Sequence, residues 1–313
     1  MNKKNIVIIG LGGVGGYFGF KINETNRIEN LHEVSFVARG ETYQVVKEKG
    51  LTLISSEHSG QKTRPNALYQ DILNIASPDL VLICVKEYDL EHVCKQLVKV
   101  ISTRTILLPL MNGADIYERI RMVIPNNTIL PSCVYVASHI QQKGIVEHKG
   151  KRGKLFLGRD PENFSENIDW IVDFLNNCGI DFDFKDSSLT DIWTKFIFIA
   201  SFGLVTAKHN SSIGAVCNDE IQKKEAKDIM QEIKLLATAK GILLDKNIIP
   251  KTFEKASSFP PETPTSLQLD VNSKKMNNEL ELFAGAIITY GDKLNIKTPS
   301  TQKIYKEIRA YNY

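Results

Sequence analysis

Near its start the chain runs Asn5-Ile6-Val7-Ile8-Ile9 straight into Gly10-Leu11-Gly12-Gly13-Val14-Gly15-Gly16-Tyr17-Phe18-Gly19. An unbroken β-branched run is the pattern of a parallel strand buried on both faces. Glycines at 10, 12 and 15 have the GxGxxG spacing, with a strand before them and a helix after. Gly10 permits the tight turn, Gly12 lets backbone approach a pyrophosphate, and Gly15 lets the helix pack close to the strand. The helix amino terminus adds unpaired N–H groups and partial positive charge. The stretch Gly10, Leu11, Gly12, Gly13, Val14, Gly15 is therefore the candidate cofactor-binding turn, and a dinucleotide is the ligand it suits.

Such a turn needs a parallel sheet around it. Val34–Val37, Leu80–Val85 and Thr105–Leu108 read as further strands, and apolar residues at Leu90, Val93, Leu97 and Val98 mark a helix between the last two. Strand and helix in alternation imply right-handed crossovers in a mostly parallel sheet. Short strands are expected at 134–136, 144–148 and 154–158, then a helix over 168–178 and a strand over 180–184. Beyond Asp186 the strand signals stop, and 189–204, 218–240, 250–257 and 277–294 read as helices. The expected fold is α/β: a Rossmann-type dinucleotide-binding domain over residues 1–186, followed by an all-helical domain over 187–313.

The second strand ends Phe36-Val37-Ala38-Arg39-Gly40. An acidic residue at this place binds the ribose 2′-hydroxyl of NAD, whereas an arginine accommodates a 2′-phosphate. Arg39 thus favours NADP(H). Composition narrows the partners. The chain has 39 Lys and Arg against 36 Asp and Glu, a formal charge of +3 over 313 residues. That balance makes no case for nucleic acid or a membrane surface. The richest apolar run, Phe196–Val205, falls short of a membrane span, so a cytoplasmic protein is expected. Five scattered cysteines without a CxxC pair, and histidines without HxxxH or HxH spacing, support neither a disulfide scaffold nor a metal site.

These pieces and others resemble the ketopantoate reductases (2-dehydropantoate 2-reductases). The resemblance runs through Gly10-x-Gly12-Gly13-x-Gly15, Arg39, Cys84-Val85-Lys86-Glu87-Tyr88 and Leu110-Met111-Asn112-Gly113. It continues through Leu157-Gly158, Ile192-Trp193-Thr194-Lys195, Thr265-Ser266-Leu267-Gln268-x-Asp270 and Glu279-Leu280-Glu281-x-x-x-Gly285. It implies NADPH-dependent reduction of a 2-oxo acid to a 2-hydroxy acid, 2-dehydropantoate to pantoate on the way to pantothenate, by a monomer or homodimer. It makes Lys195 the general acid and Glu279 the carboxylate that binds the substrate hydroxyl and orients the lysine. Lys86 and Asn112 become contacts to cofactor and substrate, and Ser266 a contact to the substrate carboxylate. The chemistry agrees with this, because hydride delivery to a ketone builds charge on oxygen that an ammonium can both stabilise and protonate. Lys195 also stands among Trp193, Phe196, Ile197 and Ile199, where a solvated lysine has little wet face.

The sequence departs from the family pattern at two points. Asparagines four and eight residues beyond the family lysine are here Ile199 and Gly203, and one extra residue separates Asp270 from Glu279. Glu281 therefore competes with Glu279, and helix capping competes with substrate binding as the role of Ser266. A reductase of a more apolar 2-oxo acid, and a non-catalytic NADP-binding sensor, stay open as alternatives.

Overall fold

The run at residues 5–9 forms the middle strand of a five-stranded parallel sheet. In the computed structural model, which describes residues 3–163 and 168–312, this unit comprises residues 1–112 and 116–188, and a second comprises 113–115 and 189–313. The chain order begins β1 (Asn5–Ile9), α1 (Gly13–Glu29), β2 (Glu33–Val37), α2 (Gly40–Lys49), β3 (Leu51–Ile54), β4 (Ser59–Thr63) and β5 (Ala67–Tyr69). It continues β6 (Leu80–Ile83), α3 (Glu87–Leu97), β7 (Ile106–Pro109) and α4 (Ile116–Val123). The sheet order is β5-β2-β1-β6-β7, and every pairing in it is parallel. Strands β6 and β7 are buried along their whole length, as their unbroken apolar runs require.

The same unit carries two smaller sheets. They are built with β8 (Ser132–Tyr135), β9 (Ser138–Gln142), β10 (Ile145–His148), β11 (Lys154–Gly158), α5 (Asp169–Asn177) and β12 (Asp181–Lys185). One sheet has the order β4-β3-β10-β9 and the other β12-β11-β8. Helix α1 packs against β1 and β2 on one side and against β3, β9 and β10 on the other. Its glycines serve both contacts. A methyl group on Gly15 would overlap the Gly10 carbonyl oxygen, and one on Gly13 or Gly16 would overlap Ser138 of β9 or Val146 of β10.

The second unit is helical: α6 (Leu189–His209), α7 (Ile213–Asn218), α8 (Glu220–Ala239), α9 (Ile248–Ser257), α10 (Ser266–Asn272), α11 (Ala286–Leu294) and α12 (Pro299–Asn312). The helix expected over 277–294 starts later. Met276 to Asn278 lie outside it, and its first turn, Glu281–Gly285, is a π-turn running into α11. By length and composition α6 could cross a membrane, but two thirds of its apolar window is buried inside the protein. It is the central packing element of its unit, with α8, α10 and α12 against it. Trp193 and Phe196 on α6 meet Tyr290 and Phe283 at ring-centroid separations of 5.6 and 6.4 Å.

Candidate functional site

The glycine turn has the form a pyrophosphate needs. Gly10 sits at φ +92°, where a side chain would be strained, and a Cβ there would lie 2.5 Å from the Cys84 carbonyl oxygen. Gly12 differs from its neighbours, because nothing lies within 4 Å of where its Cβ would be. It is the N-cap of α1, no side chain caps the helix, and no acidic residue occupies the first turn. The first N–H groups of α1 thus lie beside open space that a glycine keeps clear, which is a cradle for an anion. Leu11 is buried and Val14 half-buried beside this turn.

The other candidates of the first unit follow the carboxyl ends of the parallel strands, the edge where ligands bind in open α/β sheets. Arg39 is the N-cap residue of α2, two residues after β2, with its side chain 62% exposed. Lys86 is exposed at the N-cap of α3, after β6, and Asn112 is half-buried after β7. Arg39 donates to Asp89 Oδ2 at 2.6 Å, from the first turn of α3. Sequence reasoning passed over Asp89, because only the fold brings it to an arginine fifty positions away. Cys84 lies under the glycine turn, and burial pushes its thiol far above the ordinary range. Burial likewise pushes Cys94 and Cys178 up to about 12, so these thiols are packing groups, not nucleophiles.

In the second unit Lys195 is 8% exposed, on the buried side of α6, and Glu279 is 5% exposed in the turn leading to the π-turn. The aromatic pairs Trp193–Tyr290 and Phe196–Phe283 pack their two segments together. Glu281 faces the other way. It is exposed and accepts a hydrogen bond from Tyr305 of α12. The buried carboxylate near the lysine segment is thus Glu279, the alternative the sequence could not separate from Glu281. Helix α10 is capped by Thr265, whose hydroxyl accepts from the Gln268 N–H at 3.2 Å. Ser266 is therefore the first helical residue, exposed, and not the cap that the sequence left open for it. Ile199 is half-buried, and Gly203 is buried against Leu267 and Phe283 with room for a methyl group at ordinary contact distance.

Two family models match along the chain. The one described as ketopantoate reductase PanE/ApbA matches residues 6–162, and the one described as its C-terminal domain matches residues 188–312. The chain belongs to the ketopantoate reductase family. Among relatives of this family, the oxidoreductase YkpB of Bacillus subtilis (strain 168), described as uncharacterized, is 22% identical over 97% of this chain and 98% of its own. The 2-dehydropantoate 2-reductase of Streptococcus pyogenes serotype M3 is 24% identical over 97% of each chain. A ternary structure of D-mandelate dehydrogenase with NADH and anilino(oxo)acetate superposes with a TM-score of 0.81 at 21% identity, over 98% of both chains. Membership of the ketopantoate reductases makes the protein a nicotinamide-dinucleotide-dependent oxidoreductase that acts on a small 2-oxo acid. The expected α/β plan, with a parallel sheet first and helices after, is the fold observed.

Proposed function

We propose that the chain reduces 2-dehydropantoate to pantoate with NADPH, as a step of pantothenate biosynthesis, with residues 1–186 holding the cofactor and 187–313 supplying the catalytic groups. The observation that carries this reading is the burial of Lys195 and Glu279 in one helical unit, with Glu281 turned outward to Tyr305. A buried ammonium and a buried carboxylate on packed segments are costly unless used together, and they are the two groups that a ketone reduction calls for. Gly10, Leu11, Gly12, Gly13, Val14 and Gly15 cradle the pyrophosphate, Arg39 reads the 2′-phosphate, and Lys86 and Asn112 line the cofactor and substrate side. When bound, the reduced nicotinamide supplies a hydride to the carbonyl carbon. Lys195 donates a hydrogen bond to the carbonyl oxygen as charge builds there, then its proton, leaving the hydroxy acid. Glu279 orients Lys195 and accepts from the substrate hydroxyl, and Ser266 binds the substrate carboxylate.

Lys195→Ala is expected to lower kcat at least ~100-fold, the scale for loss of a general acid, while the Kd for NADPH stays within a factor of two. An unchanged kcat removes Lys195 from the mechanism. A second reading, reduction of a more apolar 2-oxo acid, is favoured by half-buried Ile199 and buried Gly203, which supply no hydrogen-bonding side chain where the family pattern has asparagine. Following NADPH oxidation with 2-dehydropantoate and a series of aliphatic and aryl 2-oxo acids separates the two. The first reading requires 2-dehydropantoate to have the highest kcat/KM. Nucleotide binding without turnover on any of them would leave a sensor and sink both.

A further inference from the structure

We propose that Asp89 sets the cofactor preference of this chain by competing with the cofactor 2′-phosphate for Arg39. The proposal rests on the reading of Arg39 as the 2′-phosphate residue. In the parallel sheet β1 lies between β2 and β6, so Arg39, after β2, and Asp89, after β6, approach from opposite flanks of the glycine turn. They meet at 2.6 Å, with the Asp89 side chain 27% exposed. The other acidic residue in the first turn of α3, Glu87, is drawn away to Arg119 of α4 at 2.5 Å. Asp89 is therefore the carboxylate of that turn directed at Arg39.

Two consequences follow for a nucleotide. A 2′-phosphate must displace Asp89 from the guanidinium and then lie near its negative charge, which weakens NADPH. A ribose 2′-hydroxyl meets no such repulsion and finds a carboxylate acceptor, the group used by NAD-binding turns. The chain accordingly discriminates only modestly between the two cofactors, although it carries the arginine.

The test is calorimetric titration of the whole protein with 2′,5′-ADP, 5′-AMP, NADPH and NADH, in wild type, Asp89→Asn, Asp89→Ala and Arg39→Ala. Both Asp89 variants should bind 2′,5′-ADP and NADPH roughly fivefold more tightly, the upper range for an exposed ion pair. They should bind 5′-AMP and NADH no more tightly than wild type. A purely structural ion pair would lower Tm and leave the ratio of the two nucleotide affinities unmoved, and that result overturns the proposal. If Arg39→Ala is selective for the 2′-phosphate ligands while the Asp89 variants are silent, Asp89 alone is wrong. If Arg39→Ala weakens 2′,5′-ADP and 5′-AMP equally, the reading of Arg39 is wrong and the proposal falls with it.

Discussion

A methyl group added at Gly12 enters open space, whereas one added at Gly15 runs into the Gly10 carbonyl and the Cys84 side chain. Gly12→Ala should therefore keep the wild-type Tm while weakening NADPH at least tenfold, because the methyl group stands where backbone must approach the pyrophosphate. Gly15→Ala should lower Tm sharply, since the overlapping atoms include backbone that cannot swing aside. Thermal melts with and without NADPH distinguish them, and equal Tm losses in the two variants would contradict the division of roles. These two positions were legible because their spacing reports a local turn. Gly13 was legible only in part. It was read as a cofactor contact, but its Cβ is also forbidden by the backbone of Ser138, on a strand more than a hundred residues away. The choice between Glu279 and Glu281 likewise needed Tyr305, which no local pattern connects to either carboxylate.

Helix α10 shows what an element adds to its residues. Thr265 caps it, and the same hydroxyl lies 2.7 Å from the hydroxyl of buried Thr206 on α6. One side chain thus ends a helix and ties it to its neighbour. Thr265→Ala should destabilise the protein by about 1 kcal/mol, the usual scale for a lost cap, read by urea denaturation. Ser266→Ala should leave stability unchanged and raise KM for the 2-oxo acid, and a stability loss at Ser266 matching that at Thr265 would reverse the assignment. At this scale the sequence was informative where an apolar run or an apolar helical spacing is long enough to stand out. Strands β1, β6 and β11 and helices α5 and α8 are expected within two residues of their observed bounds, and α6 is expected at its start but five residues short of its end. Strands β3 to β5 are not expected, because β4 (Ser-Gly-Gln-Lys-Thr) is largely exposed and carries no apolar alternation, and β5 is only three residues long. The π-turn was also missed, since Glu281–Gly285 keeps helical apolar spacing and the wider winding leaves no mark in residue type.

Across the whole molecule, buried carboxylates set the response to acid. Asp160 has a side chain only 1% exposed and accepts from the Ile129 N–H at 2.7 Å, Tyr117 Oη at 2.6 Å and Arg121 Nη2 at 2.5 Å. It also accepts from the N–H groups of Glu162 and Asn163. Burial acts to raise its pKa, but these donors outweigh burial and hold it below the ordinary aspartate value. In the helical unit Glu225 is likewise held down, against burial, by Lys208 at 2.6 Å and His209 at 2.7 Å. A carboxylate with a depressed folded-state pKa contributes stability that is fully present above its unfolded value. That contribution drains away as pH falls through the unfolded value, near 4, toward the folded one. Stability should therefore drop steeply below about pH 5, beneath a shallower loss that begins near the ordinary histidine value, because burial holds His32 neutral in the fold while the unfolded chain takes up that proton. Asp160→Asn should cost about 3 kcal/mol at pH 7, because largely buried Arg121 loses the carboxylate it meets at 2.5 Å and keeps only exposed Glu162 at 3.9 Å. Its acid limb should be shallower than that of wild type, since the proton which wild type takes up at Asp160 on unfolding no longer has a site. Glu225 keeps the limb from vanishing. Urea denaturation at pH 7, 5, 4 and 3.5 reads both features, and the two stability curves should converge as the pH falls. Curves that stay parallel would mean that Asp160 stabilises the fold by shape and hydrogen bonding alone, with its charge contributing nothing.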